Sequence, residues 1–203
     1  MPSQLKRTRS ALLLLFALML SGGYLPASFD AELELSRTGL YKMSFDGFIV
    51  ETGLYNEIRL NKIDKATIEK KIAFVLRDFQ RDSSTKSVSH FGKGAFHVKW
   101  VKSGDIIRSR QVTFFRRNEN MLSITFNKNT GRIGLAGRYI QKRDGERIQA
   151  MGLDVKGVIR IKTDAKVLSH NAQKTFKEGG VTVYGWRLKS VFDRAPKMEV
   201  VLR

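Results

Sequence analysis

Between residues 93 and 117 the chain sets Lys93, Lys99, Lys102, Arg108, Arg110, Arg116 and Arg117 against a single acid, Asp105. Guanidinium groups grip phosphate oxygens with two parallel hydrogen bonds, and ammonium groups meet them as point charges. Arg108, Arg110 and Arg116 share strand parity, so one face of a hairpin would carry a guanidinium-rich strip. Trp100, Phe114 and Phe115 sit beside it, and aromatics next to cations suit a lipid interface, apolar below and charged above. The candidate ligand-binding set is Lys99, Trp100, Lys102, Arg108, Arg110, Arg116 and Arg117. The competing reading is a solvated sheet face whose aromatics belong to the core.

Other chemistry is sparse. His170-Asn171 with Asp164 nearby could form an acid/base group, but no serine or cysteine stands at a recognisable spacing. It reads as a hydrogen-bonding residue beside a turn, and His97 as a structural residue of a strand. The chain has no GxSxG, HExxH, phosphate loop or GxGxxG. "TGRIGLAG" has the wrong glycine spacing and reads as turn and strand-curvature residues. With no cysteine and only His90, His97 and His170, most transition-metal sites lack ligands. A carboxylate pair for glycoside cleavage leaves no mark in local spacing. The expectation is a protein without catalytic residues, metal or cofactor, with a hydrolase as the remotest alternative.

The N-terminus speaks to compartment. Lys6, Arg7 and Arg9 precede the apolar run from Ala11 to Leu20; Ser21, Gly22 and Gly23 follow, then Pro26. That is the three-part secretory pattern. The run is about half of the roughly twenty residues that span a bilayer. The protein is therefore expected to be exported, periplasmic, and either soluble or held at the inner membrane by an uncleaved N-terminal helix. A buried core helix is disfavoured, because the segment offers no polar outer face. Small residues at −3 and −1 point to cleavage after Gly23, with Tyr24 first in the mature chain. Ala27 and Ala31 are the alternatives, with Leu25 or Phe29 less well suited at −3. Without cysteine, no thioether-linked lipid can form.

Residues 1–23 are thus assigned as signal or anchor and 24–203 as one domain. At that length about 70% of the unfolded surface is buried on folding, enough for a core without disulfides. The chain has 37 basic and 19 acidic residues, a net charge of +18. Three of the basic residues and none of the acidic ones fall in 1–23, which leaves +15 for the domain. Behind an export signal the available polyanions are anionic lipid head groups, envelope polymers or an acidic protein partner. Nucleic acid is not expected there. A purely solubilising role for the charge stands beside these readings, and the oligomeric state is left open.

The elements that must position these residues follow from periodicity. Tyr41, Met43, Phe45 and Ile49 share one parity, a half-buried strand, with Gly47 a candidate bulge; "LYNEIRL" continues as strand. Then Ile68, Ile72, Val75, Leu76 and Phe79 make a helical stripe behind an Asp64 N-cap. That helix is expected to pack on a sheet, with a membrane-lying helix as the alternative. Segments around Phe96–Trp100, 106–117, Leu122–Phe126 and Ile133–Tyr139 read as an antiparallel meander. Asp144–Met151 could hold a short helix. Val155, Ile159 and Ile161 face inward on a further strand, and two more strands close the chain. The fold class is α+β: a largely antiparallel, curved or half-closed β-sheet packed with one main amphipathic helix.

The last third resembles the LppM-like family of exported bacterial domains. The residues that carry this are Val155-Lys156-Gly157, His170-Asn171-Ala172 and Val183-Tyr184-Gly185-Trp186, with one inserted residue before the tryptophan. Leu20-Ser21-Gly22-Gly23 is similar to that family's lipidation box with the acceptor cysteine missing. The resemblance implies an exported, β-rich, envelope-associated or lipid-binding-like domain, and it transfers no catalytic residue. The functional expectation is a non-enzymatic domain whose basic surface binds anionic lipid or envelope polymer. The alternative is a subunit of an envelope assembly that meets an acidic partner.

Overall fold

The computed structural model describes residues 23–114 and 121–202. Two long strands, β1 (Tyr24–Leu35) and β2 (Leu40–Glu51), pair antiparallel through a tight connection. Two helices follow, α1 (Thr52–Arg59) and α2 (Lys65–Gln80), then the hairpin β3 (Thr85–Gly92) and β4 (Ala95–Asp105). A helical turn, α3 (Ile106–Ser109), leads to β5 (Gln111–Phe114), β6 (Leu122–Asn127) and β7 (Arg132–Gly137). Helix α4 (Lys142–Ala150) precedes β8 (Lys156–Thr163), β9 (Lys166–His170), β10 (Lys174–Glu178), β11 (Val181–Leu188) and β12 (Lys197–Val201).

The architecture is α+β, but with two sheets where the sequence predicted one. The first has the order β10-β11-β8-β1-β2-β4-β3, and the second β5-β6-β7-β12-β9. All pairs are antiparallel except β1 with β8. The expected meander is cut at Asp105. That carboxylate accepts from the amides of Ile107 (2.8 Å) and Arg108 (3.4 Å), capping α3 and ending β4. The chain then enters the second sheet. Phe114 of β5 packs on Trp100 of β4 (4.8 Å) and on Phe45 of β2 (5.3 Å), so the two sheets share one core.

Several elements match their pattern. Tyr41, Met43, Phe45 and Ile49 are buried, as are Ile159 and Ile161. Asp64 caps α2 through the Thr67 amide at 2.7 Å. Others differ. "LYNEIRL" is helical because Glu51 accepts from the amides of Gly53 and Leu54 and caps α1. Tyr139 is 79% exposed, since β7 stops at Gly137, whose amide bonds the Pro196 carbonyl. The stripe on α2 buries only Val75 and Phe79, against the edge strand β3.

Strand β1 is central, and Phe29 explains how its neighbours fit. Phe29 lies directly opposite Gly47 on β2 and Gly157 on β8. A Cβ at Gly47 would stand 2.5 Å from the Phe29 Cβ and from the Ser28 carbonyl; one at Gly157 would stand 2.6 Å from the tip of the ring. The ring thus fills the space over Gly157, and Gly47 lets the β1 backbone at Phe29 come close. The irregularity predicted at Gly47 falls instead on β1, at Ala27 between Pro26 and Ser28, opposite Ile49 and Phe48. Gly47→Ala and Gly157→Ala should each destabilise by about 1–3 kcal/mol in denaturant unfolding, as overpacking does. Gly47→Ala should cost more, because it meets backbone. Phe29→Ala should largely suppress the penalty of Gly157→Ala in a double-mutant cycle.

Candidate functional site

The residues of the predicted cationic strip are scattered. Lys99 lies on the outer face of the first sheet, 3.1 Å from Asp46, which also holds His97 Nε2 at 2.8 Å. Trp100 is 1% exposed and donates its indole N–H to Asp82 at 2.9 Å, so it belongs to the core. Lys102 has the parity of Trp100, opposite to Lys99, and its charge acts on Asp82. Arg108 sits on α3, 3.5 Å from the carboxylate of Asp105. Arg110 has a positive φ of 63° just after α3. Shared strand parity therefore fails for Arg108 and Arg110, because the backbone between them is helical and then left-handed. Phe115, Arg116 and Arg117 lie outside the described residues.

The outer face of the first sheet is charged, and compensated along β1 and β2. Arg160 bonds Asp30 (3.1 Å to Oδ2) and Glu32 (3.2 Å). Lys162 pairs with Glu32 (3.3 Å) and Glu178 (3.8 Å), and Lys42 with Glu34 (3.6 Å). Acids on β1 and β2 thus stand opposite bases on neighbouring strands, the cross-strand pairing that stabilises a sheet. Burial would lower the Arg160 pKa, but its carboxylate partners raise it overall. Lys156, Lys174 and Arg187 share this face, are exposed and have no carboxylate partner among the described residues, so compensation is confined to β1, β2 and their direct partners.

A second arrangement is uncompensated. Lys70, Phe74, Arg77 and Arg81 follow one another at helical spacing along the solvent side of α2 and its C-cap. Phe74 is 59% exposed. Among the described residues, no carboxylate pairs with Lys70, Arg77 or Arg81; Arg77 Nε donates only to the Ala73 carbonyl (3.3 Å). Phe74 and Lys70 line a shallow groove with Tyr24, Glu51 and Thr67. Tyr24 is held there by Phe79 (ring centroids 5.1 Å) and by a hydrogen bond from its hydroxyl to Asp78 (3.2 Å). The cationic row therefore lies where the chain emerges from residues 1–22. Arg108 and Arg110 follow the Leu35–Leu40 end of the sheet, where Ile106 N–H bonds the Gly39 carbonyl (2.9 Å). Twelve residues of β1 separate the two ends, about 40 Å at 3.3 Å per residue.

A small apolar cavity of about 60 Å³ also opens at the Tyr24 end. Leu25, Phe29, Val155, Ile159 and Val191 line it, with exposed Arg138 and Asp193. The His170 region is structural. His170 Nδ1 accepts from the Ala172 amide (3.1 Å), and its ring packs edge-on to Tyr184 (4.8 Å). Asn171 accepts from the Trp186 indole (2.9 Å) and the Lys197 amide (2.7 Å), and donates to the Ala195 carbonyl (2.9 Å). Asp164 bonds the Arg37 amide (2.7 Å) and takes no part in that cluster. Among the described residues, no group of three or more His, Asp or Glu side chains is placed to hold a metal, and no helix is long and apolar enough to cross a membrane.

The chain matches no family profile and no curated protein. Among solved structures it is similar to the NMR structure of the folded domain of LppM from Mycobacterium tuberculosis, at 12% identity and a TM-score of 0.43. That match covers 89% of this chain and 91% of the other. It is also similar to the crystal structure of an M1 zinc metallopeptidase from Deinococcus radiodurans, at 8% identity and a TM-score of 0.36. There 88% of this chain aligns, across 42% of that one. The resemblance to LppM is weak, and the reading of the site rests on the chain's own chemistry.

Asp82 couples this region to pH. Burial alone would raise its pKa, but hydrogen bonds from Trp100 and Ser84 and the charge of Lys102 bring it below the usual carboxylate value. A lowered folded-state pKa contributes stability above the unfolded value, about 3.9, that is lost as pH falls toward the folded one. The melting temperature should decline with acid below about pH 4, and Asp82→Asn should remove part of that slope.

Proposed function

We propose that residues 24–203 form an exported, non-enzymatic envelope domain that binds anionic lipid head groups. The observation that carries this reading is the row Lys70, Phe74, Arg77 and Arg81, cationic without carboxylate partners among the described residues and centred on an exposed aromatic ring. Its place beside Gly23 and Tyr24 supports it. An export segment, while attached, would bring that end of the domain to the membrane. Phenylalanine supplies the apolar contact and the cations supply the attraction to phosphate, the division found in surface-lying amphipathic helices.

Juxtamembrane lysines and arginines contribute about 1 kcal/mol each near an anionic surface. Flotation of residues 24–203 should show binding to anionic vesicles, none to zwitterionic ones, and loss in high salt, where exposed charges are screened. Lys70→Ala with Arg77→Ala and Arg81→Ala should weaken the vesicle affinity about 100-fold. Phe74→Ser should reduce it further, while Arg108→Ala with Arg110→Ala leaves it within about twofold. Absence of binding to any vesicle would contradict the proposal and favour an acidic protein partner.

A further inference from the structure

Three junctions in the sequence have small residues suited to removal of an export segment: after Gly23, after Ala27 and after Ala31. The fold separates them. Cutting after Ala27 would remove Leu25, which is 5% exposed, together with the pairs Tyr24–Glu51, Leu25–Val50 and Pro26–Ile49. It would also remove the ring of Tyr24 from Phe79 and its hydroxyl from Asp78. Cutting after Ala31 would further delete Phe29, the side chain that fills the space over Gly47 and Gly157, and strip β8 of half its parallel partner. Cutting after Gly23 removes no residue of either sheet, because β1 starts at Tyr24.

Gly23 is nevertheless fastened in the folded chain. Its carbonyl accepts from the Thr52 amide and the Thr52 hydroxyl, both at 3.0 Å, and its own N–H donates to Thr52 Oγ1 at 3.2 Å. Tyr24, on the other side of the bond, is paired with Glu51 in the ladder. A peptidase must take the residues on both sides of the scissile bond as an extended strand into its own cleft. It cannot do so while Thr52 and β2 hold them.

We infer that the Gly23–Tyr24 peptide bond is the processing site of this chain, and that folding closes it to the peptidase. This rests on the export part of the function proposed above. In the reaction water adds across the bond, the C–N bond breaks, Gly23 leaves as the carboxylate end of the leader, and Tyr24 keeps the amine. Processing therefore precedes the pairing of β1 with β2, and a precursor that folds first keeps its leader.

The test uses the full chain exported from a bacterial host, with intact mass and N-terminal sequencing of the product. The expected first residue is Tyr24. A product that begins at Ser28 or Glu32, or an exported population in which no chain has lost residues 1–23, overturns the assignment. For the closing of the site, folded precursor purified in detergent is treated with leader peptidase. Cleavage should be slow, Thr52→Ala should accelerate it about tenfold by removing side-chain hydrogen bonds to Gly23, and Thr52→Ser should stay slow. Equal rates for all three chains overturn that half. Neither result depends on vesicle binding, so failure here and failure of the lipid reading are told apart.

Discussion

Phe29 has no side chain beside it on either neighbouring strand, and much of the first sheet depends on that. Gly47 and Gly157 flank it from β2 and β8, and neither could carry a Cβ without displacing the ring or the backbone of β1. The ring also stacks on Phe45 at 5.6 Å, and Phe45 meets Phe114 of the second sheet. Phe29 thus meets β2 through its backbone and Cβ and β8 through its ring, and the ring begins the aromatic chain that joins the two sheets. It gives Gly157 a physical role, and with it the Val155-Lys156-Gly157 stretch.

The same central strand organises the charge. Asp30, Glu32 and Glu34 on β1 stand beside Arg160, Lys162 and Lys42, so the polar face is compensated along its centre, while Lys156, Lys174 and Arg187 on the same face have no carboxylate partner among the described residues. Exposed pairs of this kind add little stability. Their consequence is to leave the excess positive charge away from the centre of that face, with the α2 row among the places that carry it. A net charge of +18 says nothing by itself about where a polyanion would meet the protein; the pairing pattern narrows the choice.

Much of this was legible in the sequence where a period ran long. The alternation in β2 and the helix α2 with its Asp64 cap stand as read, though only Val75 and Phe79 of its stripe are buried, and the inward residues of β8 stand too. The misses came from short elements. Helices α1 and α3 begin at Glu51 and Asp105, acids whose side chains accept from the next amides, and the same cap logic that located α2 would have found them. Instead Arg108 and Arg110 were read by strand parity. The split into two sheets was not visible, because β4 and β5 are neighbours in sequence and paired with different partners. On α2 the polar face carries Glu69 and Asp78 among Lys65, Lys70 and Arg77, and that mixture of signs masks the row in which Lys70, Phe74, Arg77 and Arg81 keep one helical spacing.

The chain contains no cysteine, so a single one can report on one place. Phe74→Cys, labelled with a polarity-sensitive fluorophore and titrated with anionic vesicles, tests directly whether the α2 row meets the membrane. The account predicts a blue shift at that position, reversed by salt, and none for the same label at Lys99→Cys on the compensated face. A shift at position 99 with none at position 74 would contradict it.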